Sequence, residues 1–291
     1  MISQKYAMMP RLEIRPHSFS IITCRAVSTT TTTVTPLADS KAKPADTISL
    51  QSTWQHRAWV AAGSVAILSP LYKSISLVAM APSPVAVFKP VIAALFGYLM
   101  ADLGSGFYHW AIDNYGDAST PFFGSQIDAF QGHHKYPYTI TRRQVCNNLH
   151  ALARSVAFVV LPLDFLIGNN ATAHAFIGAC AGCIMLSQQF HAWAHEKKRK
   201  LPPIVAALQD AGVLVSRAEH ATHHRSPYNS DYCIVSGVWN DFLDDLKVFE
   251  TLEMILFFKL GVRPRSWSEP EKEWRVTENN QIGEDYYSFE K

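Results

Sequence analysis

The sequence predicts an all-α fold, an integral membrane helical domain with about four spans, and three observations predict it. Four apolar runs are each about twenty residues long, enough at 1.5 Å per residue to cross a hydrocarbon core of about 30 Å. Short turn signals join them in two pairs. Lysine and arginine collect at one end of the runs and are missing from the two turns at the other. A mean hydropathy near zero conceals this pattern, because polar ends flank the apolar middle of the 291-residue chain. Net charge is only +2, which gives no support to nucleic-acid binding.

Residues 1–50 carry Ser and Thr throughout, with Lys5, Arg11, Arg15, Arg25, Lys41 and Lys43 against only Glu13, Asp39 and Asp46. This is the composition of a transit peptide and mobile N-terminal segment, and the hydroxylated bias points to a plastid. The membrane domain is expected over 54–262, with spans at 59–80, 85–108, 149–168 and 171–193. Pro70 and Lys73 interrupt the first of these. "APSP" at 81–84 and "GNNA" at 168–171 close two hairpins, so both tips lie on one side. Lys135, Arg142, Arg143 and the run "EKKRK" at 196–200 lie on the other, which the positive-inside rule assigns to the stroma. Residues 242–260 have helical apolar spacing mixed with charge, as expected of a helix lying on the membrane surface or covering a site. A polar tail follows at 263–291. The five cysteines are scattered, and Cys180 and Cys183 in "CAGC" fall inside an apolar helix, where packing is expected of them.

Histidine carries the chemical signal. Of twelve histidines, His109, His133, His134, His191, His195, His220, His223 and His224 form four small groups, all at the polar end of the spans or in adjoining loops. His191 and His195 share a helix face, as do His220, His223 and His224 at i, i+3 and i+4. Adjacent His133 and His134 point about 100° apart on a helix, which suits ligation of two different ions. Eight imidazoles fit two metal ions with positions left open. Iron is the expected metal, because imidazole binds it well and, unlike thiolate, resists oxidation when iron activates dioxygen. The site is therefore expected to be a histidine-ligated di-iron centre at the stromal boundary. Asp113, one turn after His109, and Asp128 and Glu219, beside other groups, are candidates to bind metal or orient a ligand ring. His17, His56 and His174 are expected to be ordinary core or surface residues. His174 lies about 26 Å from His191 along a straight helix, across the membrane from the site.

The stretches "DLGSGFYHWAIDNYGD", "QGHHKYPYTITRRQ", "SQQFHAWAH", "EHATHHRSPYNSDYCIVSG" and "RPRSWSEP" resemble the plant chloroplast fatty acid desaturase 4 family, which is related to plasmanylethanolamine desaturase. The resemblance covers about 54–267. It implies a membrane di-iron fatty acyl-lipid desaturase that introduces a trans double bond at carbon 3 of palmitate esterified in phosphatidylglycerol. Two Fe2+ ions, dioxygen and two electrons, with ferredoxin as the expected plastid donor, are implied with it. The membrane is that of the chloroplast, either thylakoid or inner envelope. Arg142, Arg143 and Lys197 are candidates to hold the anionic headgroup or the acidic donor, and equally serve as topology determinants. A lipid hydroxylase would share the metal site, and sequence alone does not separate it. A metal transporter is disfavoured, since its ligands should lie near the bilayer midplane. Haem held by His191 and His195 is excluded because residues on one helix face cannot grip opposite sides of one ring.

Overall fold

The computed structural model describes residues 50–268, so the transit-peptide assignment lies outside the described residues, as does 269–291. The described residues are helical, with no strand among them. In chain order the helices are α1 (Trp54–Ala79), α2 (Phe88–Asn114), α3 (Gly124–Lys135), α4 (Tyr138–Arg142), α5 (Val145–Leu166), α6 (Ala171–Ala194), α7 (Pro203–Asp210), α8 (Arg217–His223), α9 (Asn240–Asp245), α10 (Val248–Leu260) and α11 (Arg265–Ser268). Four of them, α1, α2 (with the preceding short turn), α5 and α6, are long and apolar enough to cross a membrane. Exposed Leu68, Tyr72 and Ile75 on α1 and Phe158, Phe165 and Leu166 on α5 make an outer surface suited to lipid tails.

The spans start or end a few residues from where apolar content alone puts them. Helix α1 begins at Trp54 because Thr53 caps it: its hydroxyl accepts from the His56 backbone N–H, and its own N–H donates to His56 Nδ1, both at 3.2 Å. Helix α2 runs past residue 108 to Asn114 because the fold satisfies its polar last turn. Asn114 Nδ2 donates to the Trp110 carbonyl at 3.1 Å and to the Tyr232 hydroxyl at 2.9 Å.

Consecutive spans join through short turns, yet α1 packs mainly on α5 and α6, and α2 mainly on α6. Small residues decide this. A Cβ at Gly97 of α2 would stand 2.6 Å from the Phe176 carbonyl oxygen of α6, and one at Gly178 of α6 would stand 2.6 Å from the Leu71 side chain of α1. Those approaches are open only to glycine, as expected where helices pack without a hydrophobic drive between them.

Lys73, which interrupts the first apolar run, has its partner at the far end of the bundle. Its ammonium lies 2.9 Å from Asp164 Oδ2, which also accepts from the Ser69 hydroxyl at 2.6 Å. His174 Nδ1 lies 3.0 Å from Asp164 Oδ1, and its Nε2 donates to the Gly168 carbonyl at 2.7 Å. His174 is thus a satisfied core residue remote from the other clustered histidines. Asp164→Ala strands Lys73 and His174, so it is expected to cost about 3 kcal/mol of stability. The check is thermal unfolding in detergent, and an unshifted melting temperature would show that the cluster contributes nothing.

The run 242–260 is two helices, not one. Lys247 adopts φ +50° between α9 and α10 and turns the chain, with no glycine to announce it. Phe249, Leu252 and Leu256 then pack with Trp110 and Tyr232 near the end of α2, so α10 covers the region. Buried Glu253 accepts from Trp110 Nε1 at 3.1 Å and Trp267 Nε1 at 2.8 Å. Residues 264–268, grouped with the polar tail by composition, are docked. The Ser266 N–H donates to Asn114 Oδ1 at 3.1 Å, and Arg265 is buried.

Candidate metal centre

All eight clustered histidines are buried and meet at the polar-end termini of α2 and α6. They fall into two adjoining groups. One holds His133, His191, His195, His220 and His224, and the other holds His109, Asp113, His134 and His223; within each, the potential ligand atoms lie within 4.8 Å of one another. Adjacent His133 and His134 go to different groups, as their angular separation on α3 anticipates. The α8 cluster also divides, with His220 and His224 in one group and His223 in the other.

Each ring is carried by a short, defined element. His109 and Asp113 sit one turn apart on α2, and His191 lies in the last turn of α6, where His195 caps the helix. Helix α8 is started by a capping box in which the Ser216 hydroxyl accepts from the Glu219 N–H at 3.2 Å, and the Glu219 carboxylate accepts from the Ser216 N–H at 2.8 Å. Glu219 therefore orients α8 from its exposed first turn and is not brought to either group. Asp128 is exposed on α3 and also stands apart. Asp113 is the one candidate carboxylate placed at the centre.

Hydrogen bonds fix the tautomers. His109 Nδ1 lies 3.0 Å from the Tyr232 carbonyl and His223 Nδ1 lies 2.8 Å from the Ser230 carbonyl. A carbonyl only accepts, so each Nδ1 carries a proton, and in a neutral ring Nε2 is left as a bare lone pair. Both Nε2 atoms nevertheless face Asp113 Oδ2, at 3.2 and 3.3 Å, and His134 Nε2 is 2.9 Å from the same oxygen. Lone pairs converging on a buried carboxylate repel unless a positive charge stands among them. A metal cation meets that demand, and Asp113 Oδ1 remains buried without a hydrogen-bond partner.

The five-histidine group gives the same indication. His133 Nε2 and His195 Nε2 are 2.9 Å apart, and His220 Nε2 and His224 Nε2 are 3.1 Å apart. Two nitrogens bound about 2.1 Å from one ion, at neighbouring positions, lie about 3.0 to 3.4 Å apart. Both ring nitrogens of buried His191, with Nδ1 of His133 and His220, have no hydrogen-bond partner. Burial holds His133, His195, His220 and His224 well below the usual imidazole pKa, and it lowers His134 to about 4 against the opposing pull of Asp113. These rings are neutral at physiological pH, the form a metal requires. The residues present therefore fit metal ions in both groups.

Sequence inspection overlooked the residues that hold this centre from behind. Buried Asp102 Oδ1 accepts from the N–H groups of Val235, Ser236 and Gly237 at 3.1, 2.8 and 3.1 Å, and the Ser105 hydroxyl accepts from the Ile234 N–H at 3.0 Å. These bonds tie the segment carrying the Tyr232 carbonyl to α2. The available signal was spacing: Asp102, Ser105, His109 and Asp113 recur on one face of an otherwise apolar helix. Among the other polar-side candidates, Arg142 is exposed over the Tyr138 ring, Lys197 is half-buried after α6, and half-buried Arg143 lines a cavity with His133 and His191.

Fold and site together define an integral membrane protein with a buried, histidine-rich centre suited to metal. The lipid desaturase domain model matches residues 98–267, more than half of the chain. The chain belongs to the lipid desaturase family and is an oxidoreductase of that kind. It is 61% identical over 222 residues to fatty acid desaturase 4, chloroplastic, of Arabidopsis thaliana, covering 76% of this chain and 68% of that one. It is 57% identical over 232 residues to fatty acid desaturase 4-like 1, chloroplastic, of the same plant, covering 79% of this chain and 77% of the relative. Plasmanylethanolamine desaturase of Myxococcus xanthus is 33% identical over 177 residues, covering 60% of this chain and 62% of that protein. No solved structure shows a significant match.

Proposed function

We propose that this chain is a di-iron acyl-lipid desaturase of a chloroplast membrane, thylakoid or inner envelope, with its metal centre toward the stroma. Its substrate in this proposal is palmitate esterified in phosphatidylglycerol, and its product has a trans bond between carbons 3 and 4. The observation that carries the proposal is the pair of adjoining buried groups, whose bare nitrogens and single carboxylate converge at the polar end of a four-span bundle. The identity to chloroplastic desaturases supports the compartment and the reaction class.

In the proposal, His133, His191, His195, His220 and His224 hold one Fe2+, and His109, Asp113, His134 and His223 hold the other. Two ferrous ions so held supply the reduction of dioxygen to two water molecules, using two hydrogens from adjacent carbons together with two electrons and two protons from outside. The protein's part is geometric. Carbonyls of Tyr232 and Ser230 hold the His109 and His223 rings in one tautomer, and α10 covers the group from one side. Carbons 3 and 4 lie just below a lipid headgroup, so a centre at the ends of the spans matches their depth. Electrons are proposed to come from ferredoxin, with Arg142 and Lys197 on the polar side as contacts for that acidic donor.

Expression in a host that makes palmitoyl phosphatidylglycerol but no trans-3-hexadecenoate tests this reading. The trans-3 acid is expected in phosphatidylglycerol and in no other lipid class. A 3-hydroxy acid in its place would favour the hydroxylase, and unchanged acyl chains would refute the proposal.

A further inference from the structure

We propose that Arg143, which lines the small cavity of about 20 Å³ between α3, α4, α5 and α6, is the residue that holds the substrate's phosphate beside the ester, the lining parting as the lipid enters. This deepens the proposed function and rests on it. The cavity is lined by His133 and His191 from the five-histidine group, by Arg143, Asn148 and Gln188, and by apolar Phe130 and Ile140 among its walls. A polar, cationic end and an apolar wall thus open onto the face of the centre itself.

Arg143 lacks the partner that a half-buried guanidinium ordinarily has. Its Nε is buried without a hydrogen-bond partner, and among the described residues no carboxylate pairs with it. Burial lowers its pKa, the Asp128 carboxylate opposing from a distance, yet a guanidinium remains charged. Burying such a cation is costly unless an anion meets it. A phosphate diester offers the acceptor oxygens that the fork of Arg donors fits. Exposed Arg142, on the neighbouring position, lies over the Tyr138 ring and does not line the cavity.

Chain geometry supports an acyl lipid as the occupant. Carbon 3 is two bonds from the ester carbonyl, so the residues that hold the ester and phosphate must line the same space as the histidines. Arg143 acts here as a positioning residue: by fixing the headgroup it sets which carbons reach the centre.

The test compares the full-length wild type with Arg143→Gln, Arg143→Lys and Arg142→Gln, each purified in detergent with added palmitoyl phosphatidylglycerol. Lipid retained after washing is measured by mass spectrometry, and iron per chain is measured in parallel. Arg143→Gln is expected to retain about tenfold less phosphatidylglycerol at wild-type iron content, as for loss of a charge-assisted bond. Arg143→Lys should fall between, Arg142→Gln should match wild type, and uncharged diacylglycerol should be retained no better by wild type than by Arg143→Gln. Wild-type retention by Arg143→Gln, equal loss in Arg142→Gln, loss accompanied by loss of iron, or displacement of the lipid by inorganic phosphate would each overturn the proposal. Retention that depends on Arg143 in a protein that forms no trans-3 acid would instead refute the proposed reaction and leave the lipid seat standing.

Discussion

Asp113→Asn is expected to abolish desaturation and to lower bound iron from about two atoms per chain toward one. The carboxylate is the only anion in its group, and three histidine Nε2 atoms stand within 3.3 Å of its Oδ2. The amide keeps the shape and removes the charge, so it separates packing from electrostatics. Weakening a partner of a metal ligand costs about 10- to 100-fold, and removing an anionic ligand should cost at least the upper figure. Iron by elemental analysis and product by lipid analysis are the two readouts. Asp128→Asn is the matched control, because Asp128 is exposed on α3 outside both groups, and it should stay within about twofold of wild type. Near-normal activity and iron in Asp113→Asn would remove Asp113 from the centre.

Asp102→Ala is expected to have the larger effect on stability. It leaves the N–H groups of Val235, Ser236 and Gly237 without their common acceptor, inside a region closed to water. Each stranded donor costs about 1–3 kcal/mol, so the total is of order 3 kcal/mol or more. The damage should also reach the centre. The freed segment carries the Tyr232 carbonyl that fixes the His109 ring, so iron content should fall with the melting temperature. Asp102→Asn keeps one acceptor oxygen and should lie between wild type and Asp102→Ala. Unaltered melting and iron in Asp102→Ala would show that the 233–237 segment is held by other means.

Which parts of this molecule could be read from sequence follows from the range of the interactions involved. The four spans were legible because a bilayer demands length and apolarity within one continuous segment, and that demand is met locally. The histidines were legible as a set because each sits at a span end or in an adjoining loop on one side. Their division into two groups was legible only at His133 and His134, where angular separation on one helix decides it. The partition of His220, His223 and His224 depends on where His109 and His191 stand, which no local pattern reveals. Asp113 could be singled out by one-turn spacing from His109, whereas Asp128 and Glu219 had only adjacency in their favour. Glu219 is engaged in starting α8, a local role that its position three residues after Ser216 already allows.

Other features depend on contacts distant in sequence. Asp102 meets the 235–237 backbone across more than a hundred residues, and Lys73 finds Asp164 in another span. The break at Lys247 has no glycine or proline to mark it, so periodicity ran through it. Span pairing also escaped, because a short turn between α1 and α2 does not say which helix offers the closest approach. Gly97 and Gly178 settle that in three dimensions.

The most direct test of the account is the metal content of wild-type protein purified from iron-replete cells without chelator. About two iron atoms per chain are expected, in a pair whose Mössbauer spectrum shows histidine-ligated high-spin Fe2+ after anaerobic reduction. Iron near zero, zinc in its place with full desaturase activity, or full activity with one iron per chain would contradict it.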